Sequence, residues 1–197
     1  MNKYRILMFV ALSIISTCSI AKESTKGRQQ YNAPFGFKWG MSIDFVRKME
    51  WVKSKNNNEF VCVNKTGSLI TKCTNSYAPS QLMIDGDYAL FFDRNNSLFK
   101  ISFLSSGVFD TRNKKDQIYS TYNKYKDILV KKYGKPDIED FSDGYYYQWG
   151  GLSPRITMST RNDKGMVYLE ISYFSQESSR IIKEDLDYRS IYEYGIM

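Results

Sequence analysis

Apolar and polar positions recur along this chain with two different periods, and each change of period marks an element. In the segment 114–136, KKDQIYSTYNKYKDILVKKYGKP, the residues Ile118, Tyr122, Tyr125 and Leu129 are separated by four, three and four positions. That spacing predicts one apolar stripe along a helix of about five turns over 114–133. Its end is signalled too: Lys131 and Lys132 suit the last turn, Gly134 suits a left-handed cap, and Pro136 cannot continue the helix. A shorter helix is predicted over 42–51, where Ser42 is an N-cap, Asp44 lies in the first turn, and Ile43, Val46 and Met49 repeat at three-residue steps. A third is predicted over 178–187 through Ile181, Ile182 and Leu186.

Elsewhere the period is two. The flanks FVCVN and SLITKC around Lys65-Thr66-Gly67 predict one hairpin. Residues 82–92 and 98–104 predict another around the turn 93–97, with Phe99, Ile101 and Phe103 facing one way and Lys100 and Ser102 the other. Residues 145–149 form a further strand, interrupted at 150–154. Ile156, Met158 and Thr160 alternate into a turn at 161–165, and Val167, Leu169, Ile171 and Tyr173 mark the inward side of the last long strand. Residues 53–59, 75–80 and 137–144 read as polar connections. The expected fold is α+β: an antiparallel sheet with helices packed on one face, in an order that allows a degenerate two-fold repeat of helix plus strands.

The N-terminus adds an address. Lys3 and Arg5, the apolar run 6–17 and Ser19-Ile20-Ala21 have the form of a secretory signal peptide over 1–21. The apolar run is too short for a stable membrane span, so anchoring is expected only if Cys18 is lipidated, and Thr17 before it fits a lipobox poorly. A polar arm (22–33), one α+β domain (34–187) and an aromatic tail (188–197) would follow. Loss of Lys3 and Arg5 takes the formal charge from +7 to +5. This basic excess suits an acidic protein, anionic lipid or cell-wall polymer, while the lack of long basic runs argues against nucleic acid. Cleavage leaves Cys62 and Cys73, an even pair expected to bridge the two strands of the first hairpin in an oxidising, periplasmic or extracellular compartment.

Candidate chemistry is sparse. The chain has no histidine, which removes Ser-His-Asp and Cys-His mechanisms and the commonest zinc ligand. There is no G-x-S-x-G elbow, phosphate loop or dinucleotide fingerprint. Asp85-Gly86-Asp87 with Asp93 does not match a calcium loop. Carboxylates such as Glu139, Asp140, Asp143 and Glu170 are candidates for glycoside cleavage, but most acids here fall in loops or on polar strand faces and read as solvated. No catalytic residue, metal site or cofactor is therefore expected. The stronger signal is aromatic: Tyr145, Tyr146, Tyr147 and Trp149 share one strand, so Tyr146 must face opposite to Tyr145 and Tyr147. These four residues are the candidate partner-binding group, since Tyr and Trp bury much area at little rotamer cost.

The segments FGFKWGMSIDFVRKM, LVKKYGKP and YYYQWG with ITMST and MVYLEISY resemble a group of small exported bacterial proteins. That group opens on a Phe-x-Gly-x-x-Trp/Phe-Gly-Thr/Met-Ser segment and carries Leu-x-x-Lys-Tyr-Gly-x-Pro before its last strands. The resemblance spans about Pro34 to Phe174. More distantly, Gly40-Met41-Ser42 is similar to the helix start of BamE-like envelope lipoproteins and of the β-lactamase-inhibitor type of fold. The resemblance implies binding to proteins and transfers no functional residue, because the matching positions are turns, caps and core. The expected function is a non-enzymatic exported binding module for an enzyme, a toxin or an envelope component. An inhibitor or immunity role heads the expectations, with envelope assembly and glycan or small-ligand binding as alternatives.

Overall fold

A computed structural model describes residues 31–49, 60–75, 86–109, 112–142 and 144–193. The proposed signal peptide with Cys18, most of the N-terminal arm, the 53–59 connection, Asp85, Asp143 and the final four residues lie outside the described residues.

Among the described residues, nine strands and three helices follow the helix, strands, helix, strands order expected of an α+β chain. Helix α1 (Ile43–Arg47) precedes β1 (Val61–Asn64), β2 (Thr71–Asn75), β3 (Gly86–Phe92), β4 (Leu98–Ser105) and β5 (Val108–Phe109). Helix α2 (Arg112–Tyr133) precedes β6 (Ile138–Asp140), β7 (Tyr146–Gly150), β8 (Arg155–Asp163) and β9 (Met166–Phe174), and α3 (Ser178–Glu193) ends the series. All pairings are antiparallel, in the order β1-β2-β3-β4-β9-β8-β7-β6, with β5 continuing beside β9. The sheet is thus two four-stranded meanders, each preceded by a helix, joined along β4 and β9. That arrangement has the two-fold order of elements that the helix–strands–helix–strands pattern allows.

Helix α2 covers one face. Its Tyr122, Tyr125 and Leu129 are buried in the main core with Leu90, Ile101 and Trp149 of the sheet. Ile118, the fourth member of the stripe, lies where side chains are not described. The helix stops where expected: Gly134 takes φ +85° and its N–H donates to the Val130 carbonyl at 2.8 Å. The N-terminal segment joins the same core from Tyr31, which is buried with its ring edge-on to Tyr133. Gly150 admits that ring, since a Cβ there would stand 2.8 Å from it and closer still to the Pro154 carbonyl.

Helix α1 is shorter than predicted. Ser42 caps it by accepting from Phe45 N–H, but Lys48 and Met49 N–H groups bond three residues back and close it in a tight turn. Helix α3 is longer, running through most of the segment expected to be a tail. It crosses the ends of the strands: Ser178 Oγ donates to the Phe99 carbonyl, and buried Asp185 accepts from Ser68 Oγ and Leu69 N–H in the β1–β2 turn. The short strand β6 replaces part of a predicted loop. A register shift separates Phe91 and Phe92, so that Phe91 pairs with Lys100 and Phe92 with Leu98, leaving Phe99 unpaired. Phe99 therefore leaves the alternation expected of it: Ile101 and Phe103 enter the main core, whereas Phe99 is buried outside it.

Candidate functional site

Because successive side chains on a strand alternate, the pairing register assigns every residue to the α2 face or to the opposite one. The opposite face, called the open face here, carries Lys72, Phe91, Lys100, Phe174 and Arg155 in one row. Lys72 pairs with Phe91, Phe91 with Lys100, Lys100 with Phe174, and Phe174 with Arg155, each on a different strand from β2 to β8. The Lys100 ammonium lies 4.7 Å from the Phe91 ring centroid and 4.9 Å from that of Phe174, and the Arg155 guanidinium carbon lies 4.1 Å from Phe174. These are cation–π contacts, each worth about 0.5–1 kcal/mol when exposed and more when desolvated. Burial lowers the Lys100 pKa; Glu170 opposes that shift, and the charges of Arg155 and Lys72 reinforce it. Among the described residues, no carboxylate forms an ion pair with any of the three cations.

The next row on this face is polar. Ser102 and Ser172 pair with their hydroxyl oxygens 2.7 Å apart, and Ser172 donates to Glu170. Beyond it lie Leu104, Glu170, Ser159 and Tyr146. Tyr146 is half-buried, its hydroxyl donates to Gln148 at 2.7 Å, and it borders a cleft of about 330 Å³ with Asp140 and Ser159.

The four aromatic candidates therefore separate. Trp149 is fully buried, and its indole N–H donates to the Gly134 carbonyl at 2.8 Å, tying β7 to the end of α2. Tyr147 is buried in the same core, stacked on Tyr122 with centroids 5.7 Å apart. Tyr145 packs against that core, in ring contact with Tyr119, Tyr122 and Phe141. The expectation that Tyr147 and Trp149 offer contact area is corrected by their burial. Of the four, Tyr146 alone projects from the open face. Cys62 and Cys73, directly paired across β1 and β2, form the expected disulfide.

The described acids do not assemble. Glu139 pairs with Tyr147 and so shares the α2 side, whereas Glu170 is on the open face. Asp140 and Glu170 share the open face but sit three strands apart, about 14 Å at the backbone. Asp93 accepts from the N–H groups of Asn95 and Ser97 in its own turn, and no cluster of three or more possible metal ligands occurs among the described residues.

A second concavity, about 350 Å³, lies at the end of the sheet where α3 starts, with Trp39, Leu98, Phe99, Pro154 and Ile181 among its walls. The charges at its rim are already engaged, Arg180 with Glu177 and Glu184.

No family model, curated protein or solved structure matches this chain. The disulfide is consistent with an oxidising, extracytoplasmic compartment, and no helix among the described residues is long and apolar enough to cross a membrane.

The row of Lys72, Phe91, Lys100, Phe174 and Arg155 escaped the sequence reading because its members come from five strands and form no local motif. The one signal available was the outward alternation of Lys100 in β4.

Proposed function

We propose that this protein is a non-enzymatic, exported binding module that receives another exported protein on the open face of its sheet, as an inhibitor or immunity protein for a secreted enzyme or toxin. The observation that carries this reading is the in-register row of three cations and two phenylalanines, in which half-buried Phe91 and buried Phe174 lie beside charge lacking an ion-pair partner among the described residues. Aromatic and Arg side chains are the ones that most often dominate protein interfaces. A basic surface of this kind also speeds encounter with an acidic partner. Export to the periplasm or beyond is part of the proposal, supported by the signal-like N-terminus and the disulfide.

The test is capture of binding proteins from envelope extract by the tagged full chain, compared with a Phe91→Ala/Tyr146→Ala variant and with Leu152→Ala, which alters an exposed apolar residue in the β7–β8 turn. A stoichiometric secreted enzyme or toxin, lost at least tenfold from the double variant and kept by Leu152→Ala, is the expected result. Capture of an envelope-assembly component would turn the reading towards assembly. Equal capture by all three proteins would remove the open face as the docking surface. The apolar cavity beside Trp39 and Phe99 favours a second reading, small-ligand binding. That reading would take over if no protein were retained and Trp39→Ala abolished binding of an aromatic or glycan probe.

A further inference from the structure

We infer that Lys100 and Arg155 form a clasp over Phe174 for a side-chain carboxylate of an acidic protein partner, a role that rests on the open face being the docking surface. Both charged heads lie within 5 Å of the one ring centroid, at 4.9 and 4.1 Å. Phe91, at 4.7 Å, supports the other side of the Lys100 ammonium. The rings hold the long side chains in place, so less rotamer freedom remains to be lost when an anion arrives. Arg155 spends one N–H on the Leu152 carbonyl at 2.9 Å, which fixes the guanidinium and leaves other donors for a ligand. The charged groups acting on Lys100 are Glu170, Arg155 and Lys72, two cations against one acid. An added carboxylate would balance that set, and it would gain from entering a partly desolvated site where charge-assisted hydrogen bonds are stronger.

The chemistry favours a protein carboxylate over a lipid or polyphosphate surface. Binding to an anionic membrane draws on clusters of about four to eight basic residues. Here three cations are interleaved with Phe91 and Phe174, and the adjoining row is uncharged serine and threonine. One or two well-placed carboxylates saturate such a site, and the half-buried Phe91 ring gives an apolar seat to the methylenes of Asp or Glu, while buried Phe174 supports the two charged heads.

The probe is immobilised poly-L-glutamate, run with the full chain at increasing salt beside polyphosphate and phosphatidylglycerol vesicles. Lys100→Met and Arg155→Met should each weaken retention on poly-L-glutamate by about tenfold, the loss of roughly one charge-assisted contact. Lys100→Arg should retain most of it. Lys131→Met, which removes an equal charge from the exposed end of α2, should change it less than about twofold. Near-UV circular dichroism of each variant confirms the fold. In the wild type, poly-L-glutamate should also raise the pKa of the Lys100 ammonium followed by NMR.

Equal losses for Lys100→Met and Lys131→Met would overturn the clasp in favour of diffuse charge. Lys100-dependent binding to vesicles that exceeds binding to poly-L-glutamate would overturn it in favour of a membrane. If Lys100→Met still captures the partner while Phe91→Ala/Tyr146→Ala does not, the docking face stands and the clasp fails. If poly-L-glutamate binding depends on Lys100 but no protein is captured, the carboxylate site stands and the protein partner falls.

Discussion

Two rows of side chains cross the same strands one residue apart and have opposite chemistry. On the covered face run Cys73, Leu90, Ile101, Tyr173, Ile156 and Trp149. On the open face the immediate sequence neighbours of the first five are Lys72, Phe91, Lys100, Phe174 and Arg155. The covered row is closed at one end by a disulfide and at the other by an indole hydrogen bond, and all six of its members are buried. The open row places like charges beside one another, with aromatic rings as spacers, an arrangement that folding alone does not call for. The contrast separates what holds the sheet together from the surface proposed to meet a partner. A one-residue slip of register would exchange the two.

The sharpest way to break the comparison is at the two ends of the covered row. Trp149→Ala should destabilise by about 3–5 kcal/mol, from lost burial and the cavity left behind, with the Gly134 carbonyl losing its donor as well. Urea unfolding followed by circular dichroism measures this; a loss below about 1 kcal/mol would mean that β7 is not anchored as described. At the other end, replacing both Cys62 and Cys73 by Ser should cost about 3 kcal/mol, the chain-entropy value for so short a loop. The same unfolding assay reads it, and an unchanged midpoint would show that the β1–β2 pairing is maintained without the covalent link. Neither Lys100→Met nor Lys72→Met should approach these values.

The rows also differ in how far they could be read from sequence. The covered row was legible because burial imposes alternation: Ile101, Ile156 and Tyr173 are all inward residues of strands that the period of two predicts. Helix α2 was legible for the same reason at a period near 3.6, with Gly134 and Pro136 marking its end. The disulfide followed from an even pair flanking a turn. Strand β6 was not legible, since an edge strand exposed at Ile138, Glu139 and Asp140 has no apolar alternation to display. The unpaired Phe99 was hidden too, because a bulge depends on how two strands pair and leaves no mark on either alone. The extension of α3 to Glu193 replaces a predicted tail for a related reason: contacts that hold its added part are polar, Arg189 pairing with Asp185 at 2.6 Å and donating to Ser68 Oγ at 3.2 Å, and carry no hydrophobic period. As for the candidate site, the sequence grouped Tyr146, which lies on the open face, with three neighbours that serve the core. The cationic row needed the register of five strands, information that exists only once the sheet is assembled.

Alkaline pH provides the smallest and most discriminating contrast, because it moves the two faces in opposite directions. On the covered face, burial raises the pKa of Tyr122 and, likewise, of Tyr88 and Tyr173. Below the ordinary tyrosine value near 10 these phenols are neutral in both states and pH has no effect through them. Above it the unfolded chain loses protons that the folded chain keeps, so stability falls as pH rises. On the open face the depressed pKa of Lys100 has the reverse consequence. Between that value and the ordinary lysine value near 10.4, the folded chain has released a proton that the unfolded chain still holds, so stability rises with pH. Tyr122→Phe should flatten the alkaline fall and, since the Tyr122 hydroxyl is buried with no hydrogen-bond partner among the described residues, raise stability near neutrality by about 1 kcal/mol. Lys100→Met should steepen the net fall by removing the opposing rise, while leaving the fold at pH 7 no less stable. Unfolding free energies of the three proteins at closely spaced pH values from 7 to 11 test both signs. If Lys100→Met and the wild type give parallel curves, the Lys100 ammonium is solvated like any surface lysine, and the open row loses the partial desolvation that distinguishes it from an ordinary charged surface.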